Sequence, residues 1–222
     1  MKKFSLLDGM ALVVWLLPAV YLYFIYGSLP QSVPVHFGLN GTVDRYGSKN
    51  EFLIGPFILI GVSALVYLLL KFLPSIDPKK QVKYGTSTFQ KLALGLVVFL
   101  AALDIAIIFA TVHRGFQIDK LIFPIIGLLF VFMGNIMNSI KPNYFAGIRT
   151  PWTLESEDNW RATHRLAGKI WVAGGIIVTI TMLFLPPAGG TIFFTSCVLI
   201  MAFIPVVYSF VYFKKHQTNQ NS

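Results

Sequence analysis

The run Leu92-Ala-Leu-Gly-Leu-Val-Val-Phe-Leu-Ala-Ala102 decides the fold. Every position is apolar, so it has neither the alternation of a half-buried strand nor the wet face of a surface helix. Extended to Val112 it is long enough to cross a bilayer, which takes about 20 residues at 1.5 Å each. Five further stretches share its character: Met10–Tyr26, Phe52–Leu73, Leu121–Ile140, Leu166–Leu185 and Thr191–Phe213. A closed barrel would need alternating strands of about ten residues. The expectation is an all-α membrane protein, a six-helix transmembrane bundle.

Composition agrees. Of 222 residues, 55% are hydrophobic and 12% charged, about half the charged share of a soluble domain. Disorder and collagen-like structure are excluded, and Cys197 alone cannot form an internal bridge. The first stretch follows Lys2-Lys3 as a signal peptide would. It lacks a small-x-small cleavage site and carries Trp15, Tyr21, Tyr23, Phe24 and Tyr26, so a retained helix is expected.

The net charge of +9 is a topology signal. Fourteen of the eighteen Lys and Arg fall on one side of the six-span arrangement: Lys2, Lys3, Lys71, Lys79, Lys80, Lys83, Lys91, Lys141, Arg149, Arg161, Arg165, Lys169, Lys214 and Lys215. Arg45, Lys49, Arg114 and Lys120 fall on the other. That bias predicts both termini in the cytoplasm and anionic headgroups as the partners of the inner charges, with no direct nucleic-acid binding.

Two connections are more than linkers. The outer loop, 27–51, opens with Pro30 and Pro34 and carries Asn40-Gly41, a hairpin signal between Val33–Phe37 and Thr42–Tyr46. A hairpin-like flap there would set His36 opposite Asp44, either as a turn-stabilising pair or as a proton or ligand site. With no second His or Cys nearby, no metal is expected. The inner loop, 141–165, contains Gly147-Ile-Arg-Thr-Pro-Trp-Thr-Leu154, and Thr150-Pro151 predicts a rigid turn. Ser156 before Glu157 and Asp158 marks a helix start. Trp160, His164, Ala167 and Trp171 share a face from there, with Glu157 and Arg161 paired at i,i+4 on another. An inner amphipathic helix running into the fifth span is expected, with Trp152 and Trp160 as interfacial anchors and Arg149 free to grip a phosphate, a carboxylate or a partner.

Within the spans Asp104 lies near mid-membrane, where a charge costs about 2.5–3.5 kcal/mol. It must be paired, protonated or facing water. Asn135 and Asn138 are its candidate partners, Thr179 and Thr181 weaker ones. Nucleophile elbows, zinc motifs and phosphate loops are missing from the sequence, so neither an enzyme nor a cofactor is expected.

The inner string Gly147 to Leu154, with Trp160, Thr163 and His164, resembles the hallmark of the SdpI family, immunity proteins against a sporulation-delay killing peptide. The outer loop, with Pro34, His36, Phe37, Gly41, Asp44, Ser48 and Lys49, is similar to an uncharacterised domain that often precedes it. The resemblance implies three regions: 1–73 with the outer domain, 92–185 as the SdpI-like part, and 191–222 as a last helix and basic tail. It also implies a multi-pass protein of the bacterial cytoplasmic membrane that resists a secreted peptide toxin, and a role for a cytoplasmic repressor as partner. Candidate toxin contacts are His36, Phe37, Asp44 and Lys49. Candidate partner or brace residues are Asn143, Gly147, Arg149, Thr150, Pro151, Trp152, Thr153, Trp160, Thr163 and His164. The alternative expectation is a small-solute or ion transporter or channel using Asp104.

Overall fold

A computed structural model describes residues 4–38, 41–76, 86–113 and 115–218. Lys2, Lys3, Asn40, Lys79, Lys80, Lys83 and Arg114, invoked above, lie outside the described residues. Helix α1 is Leu6–Ile25, followed by a 3-10 turn at Tyr26–Ser28 and strands β1 (Ser32–Phe37) and β2 (Val43–Ser48). Then come α2 (Lys49–Ile76), α3 (Thr86–Val112), α4 (Asp119–Met137), the short α5 (Pro151–Glu155), α6 (Glu157–Thr181) and α7 (Pro187–Thr218). Five of the described helices, α1, α2, α3, α4 and α7, are long and apolar enough to cross a membrane. They present Val13, Phe24, Phe57, Leu65, Phe203 and Val207 outward, an apolar surface that water would not tolerate and lipid does. The chain is a multi-pass membrane protein.

The expected span Leu166–Leu185 falls largely in α6, which is not among these five. Helix α6 begins at Glu157 instead of Leu166, so Arg161, Arg165 and Lys169 are part of it and dilute its apolar character. The outer flap is as expected: an antiparallel hairpin whose register pairs Ser32 with Ser48 and Phe37 with Val43. It is irregular around His36, where the pairing shifts.

The helices form two groups. In the first, α3 packs on α1 and α2, and the hairpin closes one end by burying Val33 against Leu22, Leu29, Phe52 and Ile108. Trp15 Nε1 donates to the Ile60 carbonyl at 2.9 Å, joining α1 to α2. At the other end buried Asp8 closes a capping box with Ser5, accepts from Tyr67 Oη and pairs with Lys71 Nζ at 3.0 Å. Lys71 is thus a partner in an interhelical ion pair as well as a mark of topology.

In the second group α6 packs on α4 and α7, and glycines decide how closely. A Cβ on Gly134 would meet the Gly168 carbonyl at 2.8 Å, and one on Gly168 would meet the Gly134 carbonyl at 2.8 Å. One turn-pair further along, Gly127 and Gly175 stand in the same reciprocal relation, at 2.9 and 2.5 Å. The two backbones touch because neither helix has a side chain there, a packing mode that suits lipid, where little else drives helices together. Thr179 Oγ1 adds a bond to the Pro124 carbonyl at 3.3 Å. Replacing Gly134 or Gly168 by Val should lower thermal stability in detergent by about 1–3 kcal/mol. Gly55→Ala and Gly61→Ala on α2, with open space where the Cβ would go, should change the melting curve little.

Candidate functional site

The two loops stand at opposite ends of the helices and differ in how they spend their side chains. On the hairpin, His36 Nδ1 and Asp44 Oδ1 lie 2.6 Å apart, and both side chains are about half exposed or more, 63% and 49%. Arg45 pairs with Glu51. Lys49 leans over the Tyr26 ring, 5.6 Å from its centroid, and reaches the Tyr26 carbonyl at 3.4 Å. Phe37 is half-buried at the strand end. The hairpin therefore offers water a small set of ionic and ring groups on a rigid support. Its turn rests on α4: Gly41, at φ 73°, abuts the carboxylate of Asp119, which is buried without a hydrogen-bond partner among the described residues.

The inner loop turns Asn143, Thr150, Thr153, Asn159, Trp160, Thr163 and His164 inward. Asn143 is buried; its Oδ1 accepts from the Phe145 and Ala146 N–H groups at 2.7 and 2.8 Å. Its amide donates to the Lys141 and Ala146 carbonyls at 2.8 and 3.0 Å. Gly147 has φ 117°, and a Cβ there would run into His164 Nε2 and, at 3.0 Å, the Trp160 ring. That glycine lets the chain lie flat on the stacked Trp160 and His164 rings, whose centroids are 4.1 Å apart. Thr150 and Thr153 exchange side-chain-to-backbone bonds as a capping box on α5, with Pro151 in its first turn. Trp152 Nε1 donates to Ser209 Oγ of α7 at 2.5 Å, and its ring lies 5.2 Å from that of Phe210.

The same knitting continues along α6. Asn159 donates to the Ser209 carbonyl at 2.9 Å and accepts from the Thr163 hydroxyl at 3.0 Å. Trp160 Nε1 donates to the Ile140 carbonyl at 2.8 Å, and the side chain is 1% exposed. Trp160 is therefore a core residue and the interfacial-anchor expectation for it is corrected: its indole packs on the end of α4 and bonds the chain just beyond it. Trp152 is half-buried between α5 and α7. Arg149 and Pro151 remain exposed, and the Arg149 guanidinium donates to the Tyr144 carbonyl within its own loop. Glu157 and Arg161 form the expected pair at 2.6 Å.

His164 is 1% exposed and has both ring nitrogens engaged. Nε2 accepts from the Ile148 N–H at 3.1 Å, so Nδ1 carries the proton and donates to the Trp160 carbonyl at 2.8 Å. Burial pushes the imidazole pKa down, and the bond to Trp160 opposes this only in part. Protonating Nε2 would set two N–H groups against each other.

Asp104 faces α1 and α2, not α4. It shares a narrow void with Trp15, Pro18, Ile60, Ser63 and Ala101. Neither carboxylate oxygen, nor the Ser63 hydroxyl, has a hydrogen-bond partner among the described residues. Asn135 on α4 and Asn138 just past its end are exposed, so the proposed pairing with Asp104 is corrected: the acid turns toward the first helix group and the asparagines do not. Sequence reasoning also passed over Asn159 and Ser209, which bind the inner loop to α7. No group of three or more His, Cys, Asp or Glu able to hold a metal occurs among the described residues.

An α-helical, multi-pass membrane protein with a hairpin at one end and a tightly bonded loop at the other is the class so defined. The SdpI/YfhL protein family matches over residues 139–209, which hold the inner loop, α5, α6 and most of α7. A domain of unknown function (DUF1648) matches over residues 13–60, which hold the hairpin. The family match thus lies in the C-terminal half of the chain, with that second domain at its N-terminal side. It is 24% identical over 193 residues to the "Immunity protein SdpI" of Bacillus subtilis (strain 168), covering 86% of this chain and 88% of the relative. It is 37% identical over 59 residues to an "Uncharacterized protein" of Archaeoglobus fulgidus, covering 27% of this chain and 30% of that one. No solved structure gives a significant match.

The state of His164 predicts a pH dependence. Its folded pKa lies below the ordinary histidine value of 6.5, so below that value the unfolded chain binds the extra proton. Stability should be full above about pH 6.5 and fall as the pH drops toward the lowered folded pKa. Melting curves in detergent between pH 5 and 8 should show this loss, and His164→Gln, which keeps an acceptor for Ile148, should flatten it.

Proposed function

We propose that this protein is an immunity protein of the bacterial cytoplasmic membrane that confers resistance to a secreted antimicrobial peptide. In this reading all six long helices cross the bilayer, both termini are cytoplasmic, and the hairpin faces the arriving toxin. The observation that carries the immunity reading is the match to the SdpI relative along 86% of the chain. The sixth crossing is supported by the partnership of α6 with α4. One end of α6 meets the Ile140 carbonyl through Trp160, and at the other Lys120 of α4 bonds the Met182 and Leu185 carbonyls. A helix that accompanies a spanning helix end to end spans with it. Asn159, Thr163 and His164 of α6 are covered by protein, and its exposed charges, Glu157, Asp158, Arg161, Arg165 and Lys169, lie toward its inner-loop end.

The division between the loops supports assigning toxin contact to the hairpin. Its charged groups are displayed, whereas the inner string is occupied with holding α4, α6 and α7. A relay to a cytoplasmic repressor would have to use the residues that remain outward, Tyr144, Phe145, Arg149 and Leu154 with the charged Glu155, Asp158 and Arg165. The transporter alternative would require Asp104 to face a passage, and it is 1% exposed.

Cells producing the protein should survive a sporulation-delay-type peptide that kills controls; equal killing would refute immunity toward that peptide. His36→Ala or Asp44→Ala should weaken protection at unchanged protein level. Asp104→Asn should preserve level and protection, because no described group pairs with the carboxylate, whereas Asp104→Lys should lower the amount inserted. Immunoblots of membranes beside survival counts separate these effects.

A further inference from the structure

Between α3 and α4, where the two helix groups meet, runs an open groove of about 470 Å³. Its walls include Val98, Ala102, Leu128 and Phe132, and its two polar lining side chains are Lys91 and Asn135. These share one end, since Lys91 is in the second turn of α3 and Asn135 in the last turn of α4. We propose that the groove is a binding site for one anionic phospholipid of the leaflet on the inner-loop side, with an acyl chain along α3 and α4 and the phosphate at Lys91 and Asn135. The inference rests on the chain spanning the membrane and not on the immunity reading.

Length selects the occupant. From Lys91 to Ala102 is eleven residues, about 16 Å at 1.5 Å each, which is half of a hydrocarbon core about 30 Å thick. The groove thus ends near the bilayer midplane, where an acyl chain ends. A spanning peptide helix would need a groove twice as long.

Charge selects the headgroup. Lys91 is exposed, no carboxylate lines the groove, and among the described residues Lys91 enters none of the ion pairs. A phosphate supplies what that ammonium lacks, and the Asn135 amide can donate to the same oxygens. A zwitterionic headgroup would add its own cation beside Lys91 with no carboxylate among the described lining residues to receive it. The floor is shaped by Gly95, where a Cβ would strike the Phe132 ring; the ring lies down on the glycine and leaves the space above it open.

Native mass spectrometry of the purified full chain with added phosphatidylglycerol or phosphatidylcholine of identical chains tests this. One phosphatidylglycerol should be retained at least several-fold more than phosphatidylcholine. Lys91→Gln should erase the preference, and Val98→Trp, which fills the groove from an exposed position, should reduce retention of both lipids. Lys169→Gln, exposed and outside the groove, should change nothing. Equal retention of the two lipids by the unaltered protein, or a preference that survives Lys91→Gln, would overturn the proposal. So would a dimer that Val98→Trp dissociates, since the groove would then be filled by a second copy.

Discussion

The backbone contact between α4 and α6 is the constraint on which the second half of the molecule depends. Lipid supplies almost no hydrophobic drive for helices to associate, so close packing and interhelical hydrogen bonds must do it. Gly127 and Gly134 on one helix and Gly168 and Gly175 on the other let the two backbones meet directly. That proximity brings the Trp160 indole within 2.8 Å of the Ile140 carbonyl, and it brings Lys120 to the carbonyls that end α6. With α4 and α6 fixed, the chain between them has a short gap to close, and the Gly147–Leu154 segment closes it.

That segment accordingly behaves as a clasp. Its hydrogen bonds run to α6 through His164, and to α7 through Ser209, so three helices are held by one loop. The polar residues of the string are satisfied by one another and by the backbone, as burial in a low dielectric requires. Gly147 is confined by the aromatic pair beneath it, and His164 must stay neutral to accept from Ile148. The hairpin obeys the opposite rule: its apolar side seals the ends of α1, α2 and α3, and its ionic side is left to water.

Much of this was legible in the sequence, and the failures have physical causes. The apolar runs gave the helices because crossing hydrocarbon demands a length that few other structures need. Pro30, Pro34 and the Asn40-Gly41 turn signal gave the hairpin, and with it the His36–Asp44 pair. Ser156 before two acids gave the start of α6. Which way a side chain faces was not legible. Asp104 was assigned partners on α4, yet it turns to α1 and α2, because nothing in a uniformly apolar helix marks its faces. Trp160 read as an anchor because a tryptophan near a membrane end is usually one; its burial depends on α4 arriving beside it. The glycines at 127, 134, 168 and 175 carried a signal, a repeat of seven on each of two helices, but only pairing the helices gives it meaning. Asn159 and Ser209 were likewise ordinary polar residues until the loop was folded onto them.

The central claim is that the inner string is part of the α4–α6–α7 core and not a displayed loop. Hydrogen–deuterium exchange of the protein in lipid nanodiscs tests it most directly, through the amides of 143–153. If the string is a clasp, the Ile148 amide should exchange as slowly as those around Gly134 and Gly168, since all open together. Exchange of Ile148 at the rate of an unfolded chain, while α4 and α6 stay protected, would contradict the account.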